Sequence, residues 1–306
     1  MKSIAINHFP RIVYDGKEKL LFNPVLRKRF KNRPEERVRL KWVEYLLHQT
    51  GVKKSRIGFE TPIQLRQEKN TVRADLILYD KAMKPEILVE CKASSITLNA
   101  SAAEQAARYN STIGARYICL TNGINDFWFE QQAGKIDATA SPIVETTPLN
   151  PIEYSPSWWI ERGFCSSGSS SELLDRLNPI CSHFWSNAME WPSRYLDFAS
   201  TFLPINLNHY YRVPELSQDM KLAITFMGSP DTGSYLVAIL NRSGQNSGFL
   251  AINLDDLFKL KPRSAVLFKN REEKHFAAHK KLPLFGERFN PSIIENLPNF
   301  LMRFFD

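Results

Sequence analysis

Two stretches decide how this chain reads: Val72-Arg73-Ala74-Asp75-Leu76-Ile77-Leu78-Tyr79 and Ile87-Leu88-Val89-Glu90-Cys91-Lys92. Both are short, apolar runs of strand type, joined by a turn containing Asp80, Lys81 and Pro85. Side chains alternate along a strand, so Leu88, Glu90 and Lys92 share one face while Val89 and Cys91 share the other. A carboxylate and an ammonium therefore point the same way, one pleat apart. Asp75, fifteen residues before Glu90, is an acid inside an otherwise apolar strand. Burying a lone carboxylate is costly unless a cation or hydrogen bonds compensate it. Two acids on paired neighbouring strands repel each other, and a bound divalent cation relieves that repulsion. Ligation by carboxylate oxygens, completed by water, suits Mg²⁺ or Mn²⁺. For D…ExK alone, a structural Asp75–Lys92 ion pair at a sheet end is the more economical reading, because so loose a pattern arises often by chance.

The flanking sequence supplies the rest of a sheet-and-helix layer. An extended opening segment, Ile4 to Phe22, leads to a helix beginning at Pro34, a residue tolerated in a first turn. Leu40, Val43 and Leu47 recur at helical spacing, with Trp42 and Leu46 beside them, and Gly51 ends the helix. Ile57 to Leu65 reads as a strand, and Ser101 to Ile113 as a second helix stopped by Gly114. Tyr117 to Thr121 fits a buried strand closed by the Asn122-Gly123 turn, and Phe127 to Phe129 one strand more. Helix, three strands, helix, strand predicts an α/β sheet with helices packed on it. Gln105 and Tyr109, four apart, project from one face of the second helix. Glu36 precedes Leu40 by four and Val43 by seven residues, which places it on or beside the buried face, within reach of the same metal shell. Glu35 competes with it, since either acid suits a helix N-terminus.

These motifs together resemble a known family. Pro34-Glu35-Glu36-Arg37-Val38-Arg39, Arg73-Ala74-Asp75, Val89-Glu90-Cys91-Lys92-Ala93, Gln105-Ala106-Ala107-Arg108-Tyr109-Asn110 and Leu120-Thr121-Asn122-Gly123 are similar, in order, to the N-terminal nuclease domain of type I restriction enzyme R subunits, within the PD-(D/E)xK superfamily. The resemblance covers roughly a third of the chain, from Pro34 to about Trp128. It implies a restriction-endonuclease-like mixed sheet flanked by helices and a metal-dependent DNA endonuclease acting in restriction, defence or DNA processing. It also implies Asp75 and Glu90 as metal ligands with Glu36 as the first-helix acid, Lys92 as the catalytic lysine, and Gln105 and Tyr109 assisting. No G-x-x-x-x-G-K-[ST] motif occurs, so the ATP-driven motor of a full R subunit is missing, and a separate motor or restriction-modification subunits are the expected partners. The alternative is a non-catalytic module with the same fold that holds nucleic acid or a partner protein.

Charge and composition set the wider frame. The 306 residues, 43% apolar, fill one large core or two modest ones, and ordinary domain size favours two. The net charge is +8, and eight of the fifteen residues from Arg27 to Lys41 are basic. A phosphate backbone suits that run, with Arg33, Arg37, Arg39 and Lys41 as its contacts; a solvated helix face is the equal alternative. Apolar runs are too short to cross a bilayer, the opening residues lack a signal-peptide pattern, and the four cysteines form no C-x-x-C pair, so a cytoplasmic protein with free thiols is expected. Ser166 to Ser171 and the prolines at 142, 148, 151 and 156 mark 140–171 as a linker, with a boundary near 150 between a nuclease-like domain (1–150) and an α+β domain (151–306). In the latter, Glu172 to Phe202 reads as an aromatic-rich helix and Lys221 to Leu254 as strands. Cys181 with His183, and His275 with His279, lack the further ligands of a zinc site.

Overall fold

A computed structural model describes residues 1–16, 18–64, 71–143, 154–198 and 205–306. Contacts divide the chain into two units, Met1–Glu153 and Tyr154–Asp306. The expected boundary near 150 falls within 144–153, outside the described residues. Leu65, the expected end of its strand, lies outside them too.

In the first unit, β1 (Arg11–Asp15), β2 (Glu18–Asn23) and β3 (Lys28–Lys31) form a three-stranded antiparallel sheet. α1 (Pro34–Gln49) follows, with Pro34 in its first turn. A six-stranded sheet then runs in the spatial order β4 (Ile57–Gln64), β5 (Thr71–Tyr79), β6 (Pro85–Cys91), β7 (Tyr117–Thr121), β8 (Asp126–Gln132), β9 (Lys135–Thr139). Only β6 and β7 are parallel among these neighbours. Parallel strands need a long crossover, and α2 (Ala100–Ile113) supplies it. Asn99 caps α2 by accepting the Ala102 N–H at 3.1 Å, and Gly114, at φ 73°, takes the left-handed position that closes it.

The two helices use different faces of this sheet. Leu40, Trp42, Val43 and Leu46 of α1 share a core with Leu76, Leu78, Val89 and Cys91, whereas Tyr109 of α2 clusters with Ile63, Ala74, Ile77 and Leu88. The α1 core also takes in Leu21 of β2, with Ile12 and Phe30 packed against it, so α1 is covered by two sheets. That second cover was not legible in the charge run, and two of the expected phosphate contacts are buried. Arg37 is buried and donates to Asn32 Oδ1 at 2.9 Å, and Lys41 is buried with its ammonium 5.9 Å from the Phe9 ring centre. Lys28 and Lys31 belong to strand β3, not to a helix.

The second unit contains an eight-stranded antiparallel sheet, with helices at both ends of the chain segment. Its path is β10 (Ser193–Leu196), β11 (His209–Arg212), β13 (Met220–Ser229), β14 (Gly233–Arg242), β15 (Gln245–Asn253), β16 (Ala265–Lys269), β17 (Glu272–Phe276), and β12 (Glu215–Ser217) pairs with β13. The helices are α3 (Pro156–Glu161), α4 (Ser171–Phe184), α5 (Leu254–Phe258), α6 (Pro291–Glu295) and α7 (Leu297–Phe305). Two sequence expectations change here. The helix expected over Glu172 to Phe202 stops at Phe184, because the buried Arg212 guanidinium takes up the carbonyls of Phe184, Ser186 and Trp191 at 3.1, 2.8 and 2.7 Å and so fixes a turn leading into β10. Residues 199–202 of that span are outside the described set. Ser166 to Ser171 is no flexible tether: Ser166 and Ser169 are buried and hydrogen-bond to Ser229 and to Ser234 and Asp255, while Ser170 caps α4. Among the described residues no helix is long and apolar enough to cross a membrane.

Candidate functional site

β5 and β6 separate where the acids begin. Their ladder runs Leu78↔Ile87, Ile77↔Leu88, Leu76↔Val89 and extends no further toward Asp75 and Glu90, while β6 continues along β7 through Glu90↔Leu120 and Cys91↔Thr121. The Cys91 N–H left over at this fork is taken by the Asp75 carboxylate, whose Oδ2 accepts it at 2.7 Å. A side chain thus replaces the strand partner, and Asp75 is held by backbone.

Lys92 stands at the end of β6. Its Nζ donates to Glu90 Oε1 at 2.9 Å and to Gln105 Oε1 at 3.1 Å. Gln105 in turn donates through Nε2 to the Tyr109 hydroxyl at 2.9 Å, which fixes the amide so that its oxygen faces the ammonium. The spacing of four along α2 brings both side chains to this line. Asn110, the next residue, anchors the helix end by accepting the Ala115 N–H at 2.9 Å and donating to the Ala115 carbonyl at 2.7 Å. Asp75, Glu90, Lys92, Gln105 and Tyr109 are therefore gathered from β5, β6 and its end, and α2.

Glu36 and Arg39 enter from α1. Arg39 Nη1 donates to Glu36 Oε2 at 2.7 Å and to Glu60 Oε1 at 3.1 Å, and its Nε lies 2.8 Å from Asp75 Oδ1. Arg39 was expected on phosphate; it is folded among the acids instead, one turn along α1 from Glu36. Of the expected phosphate contacts, Arg33 alone is exposed, and Glu35 is exposed where Glu36 is buried. Glu60 escaped the sequence reading, although the criterion that singles out Asp75, an acid inside an apolar strand, picks it out as well.

The electrostatics are those of an acid cluster short of positive charge. Burial pushes the Glu90 carboxyl up to about 7, with the nearby Asp75 charge adding to the shift and Lys92 opposing it. Burial likewise brings Glu36 to about 7 despite Arg39, since that guanidinium is shared among three acids. Asp75 is also raised by burial, against the pull of Arg39 and the Cys91 N–H. Burial works against the Lys92 ammonium, but Glu90 outweighs it and the pKa is raised, so Lys92 stays protonated. Glu90 Oε2 and Glu36 Oε1 are buried with no hydrogen-bond partner among the described residues. Such orphaned carboxylate oxygens are the donor type that a hard divalent cation accepts. Among the described residues no three His, Cys, Asp or Glu side chains close on a single point, so any ion here takes part of its shell from water.

Residues 34–142 match the family model described as type I restriction enzyme R protein N terminus. That similarity spans α1, the six-stranded sheet and α2, and it points to a restriction-related nuclease module. No significant match was found among curated proteins or among solved structures.

Proposed function

We propose that the first unit is a restriction-endonuclease-like, PD-(D/E)xK module that hydrolyses DNA phosphodiester bonds with Mg²⁺ or Mn²⁺. One observation carries the reading: at the fork between β5 and β6, Asp75 is fixed by the Cys91 amide while Lys92 is clamped between Glu90 and Gln105, leaving Glu90 Oε2 without a hydrogen-bond partner among the described residues. The family match over residues 34–142 supports it from outside the geometry.

In this reading Asp75 and Glu90 would hold the ion, with water completing its shell and the Glu36 carboxylate beyond that water. When bound, it lowers the pKa of a coordinated water and stabilises charge on the phosphoryl oxygens. Lys92, protonated throughout the neutral range, works as a fixed positive donor toward the attacking water or the pentavalent phosphorus, and not as a base. Gln105 sets the direction of the ammonium, and Tyr109 sets the direction of Gln105. Arg33 at the head of α1 is available to the phosphate backbone. Partners follow the family: DNA, and restriction-modification subunits or a motor protein.

The test is plasmid cleavage with Mg²⁺ or Mn²⁺ by the parent, Asp75→Ala and Lys92→Ala. Cleavage by the parent that both variants lose supports the enzyme; equal residual cleavage in all three marks a contaminant and removes the proposal. A second reading, a non-catalytic module binding nucleic acid or a partner, draws on Arg39, which already neutralises part of Asp75. It requires DNA or partner binding in EDTA with no cleavage under either metal.

A further inference from the structure

Among the described residues eight non-glycine residues have positive φ, and seven of them lie in turns or just past a helix end. Glu60, at φ 47°, is the exception, for it sits inside β4. That region is disfavoured for L-residues because Cβ approaches the following carbonyl, so something in the fold has to hold Glu60 there. The β4–β5 ladder lapses at the same point: it passes from Phe59↔Leu76 to Thr61↔Ala74, leaving Glu60 and Asp75 opposite each other and outside it. The twist delivers the Glu60 carboxylate to Arg39 Nη1 at 3.1 Å, with Arg73 Nη1 3.7 Å from its other oxygen. The same Nη1 binds Glu36, and Nε lies 2.8 Å from Asp75 Oδ1.

We propose that Glu60 and Arg39 are a positioning pair for Asp75: Glu60, on its strained backbone at the break in the β4–β5 ladder, holds Arg39 Nη1 together with Glu36, so that the guanidinium meets only Asp75 Oδ1, through Nε, and the carboxylate stays open to a divalent cation. This inference rests on reading the site as a metal centre. Without the Glu60 anchor, the guanidinium has two acids instead of three to satisfy it, turns more fully onto Asp75, and competes with the cation. Glutamine at position 60 keeps an acceptor oxygen for Nη1, whereas alanine and glycine do not; glycine alone also accepts the left-handed backbone without strain.

Mn²⁺ binding to the full chain, measured by titration calorimetry without DNA and paired with melting temperatures in EDTA, tests it. Glu60→Gln is expected to bind Mn²⁺ within about threefold of the parent, and Glu60→Ala and Glu60→Gly about tenfold more weakly, the scale of outer-shell effects on metal sites. Glu60→Gly is expected to melt above Glu60→Ala, so that a more stable protein still binds the ion poorly. A purely structural role predicts instead that Glu60→Gly recovers binding along with stability, and that result overturns the pair. So does a Glu60→Gln variant as weak as Glu60→Ala, which reduces Glu60 to a charge. A parent that binds no Mn²⁺ refutes the metal centre itself, and the positioning role with it.

Discussion

Replacing Glu90 by Gln in metal-free buffer should stabilise the first unit at alkaline pH and scarcely at all in acid. The Glu90 side chain is 5% exposed, and its carboxyl is pushed from 4.5 up to about 7 by burial and the Asp75 charge, net of the Lys92 ion pair. A folded-state pKa above the unfolded one means that the folded chain prefers the protonated acid. The parent therefore loses stability as pH rises from about 4.5 through about 7, and below that window Glu90 costs nothing. At 1.36 kcal/mol per pKa unit, the ionised carboxylate costs about 3 kcal/mol at pH 8 and about 1 kcal/mol at pH 5. Glutamine keeps an acceptor for Lys92 and removes the titration, so Glu90→Gln should gain roughly 2 kcal/mol on the parent between those two pH values. Denaturant unfolding in EDTA at pH 5 and pH 8 measures it, following the transition that shifts between parent and variant. Added Mg²⁺ at pH 8 should restore the parent and leave the variant unmoved. A variant equally destabilised at both pH values would refute the reasoning, because Glu90 would then be a satisfied partner of Lys92 and not a strained acid.

Further outcomes follow from the same geometry. Since Glu90 and Glu36 are both near 7 and are ionised beside a bound ion, Mn²⁺ binding should release between one and two protons at pH 6 and almost none at pH 8.5, read by calorimetry in two buffers of different ionisation enthalpy; equal release at both pH values contradicts the shift. Lys92→Ala should slow cleavage by roughly 10²–10³-fold while leaving Mn²⁺ binding in place, the scale of losing one fixed electrostatic donor. In the second unit, Arg212→Ala should cost about 3 kcal/mol or more, because three carbonyls lose their buried donor, and thermal unfolding checks it.

The elements that frame the site were legible because each is set by a local pattern. Tyr117–Thr121 and the helix closed by Gly114 come straight from apolar runs and a left-handed glycine, and Gln105 and Tyr109 from a spacing of four. What the sequence hid is set by partners far along the chain. The basic run from Arg27 looks like one solvated face, yet Leu21, Ile12 and Phe30 of β1–β3 join the α1 core, and Arg37 and Lys41 are buried. Arg39 could be paired with Glu36 from their spacing, but its bonds to Glu60 and Asp75 cross 21 and 36 positions. The backbone twist at Glu60 leaves no mark in the sequence, and the end of α4 is set by an arginine 28 residues beyond Phe184.

DNA cleavage by this unit would depend above all on a divalent ion held between Asp75 and Glu90. Crystals soaked in Mn²⁺ and measured near the manganese edge should show an anomalous peak within about 2.0–2.3 Å of an Asp75 carboxylate oxygen and of Glu90 Oε2, with Lys92 still joined to Gln105. A peak elsewhere, or none while Arg39 remains on Asp75 and Glu90 Oε2 stays bare, contradicts the metal centre.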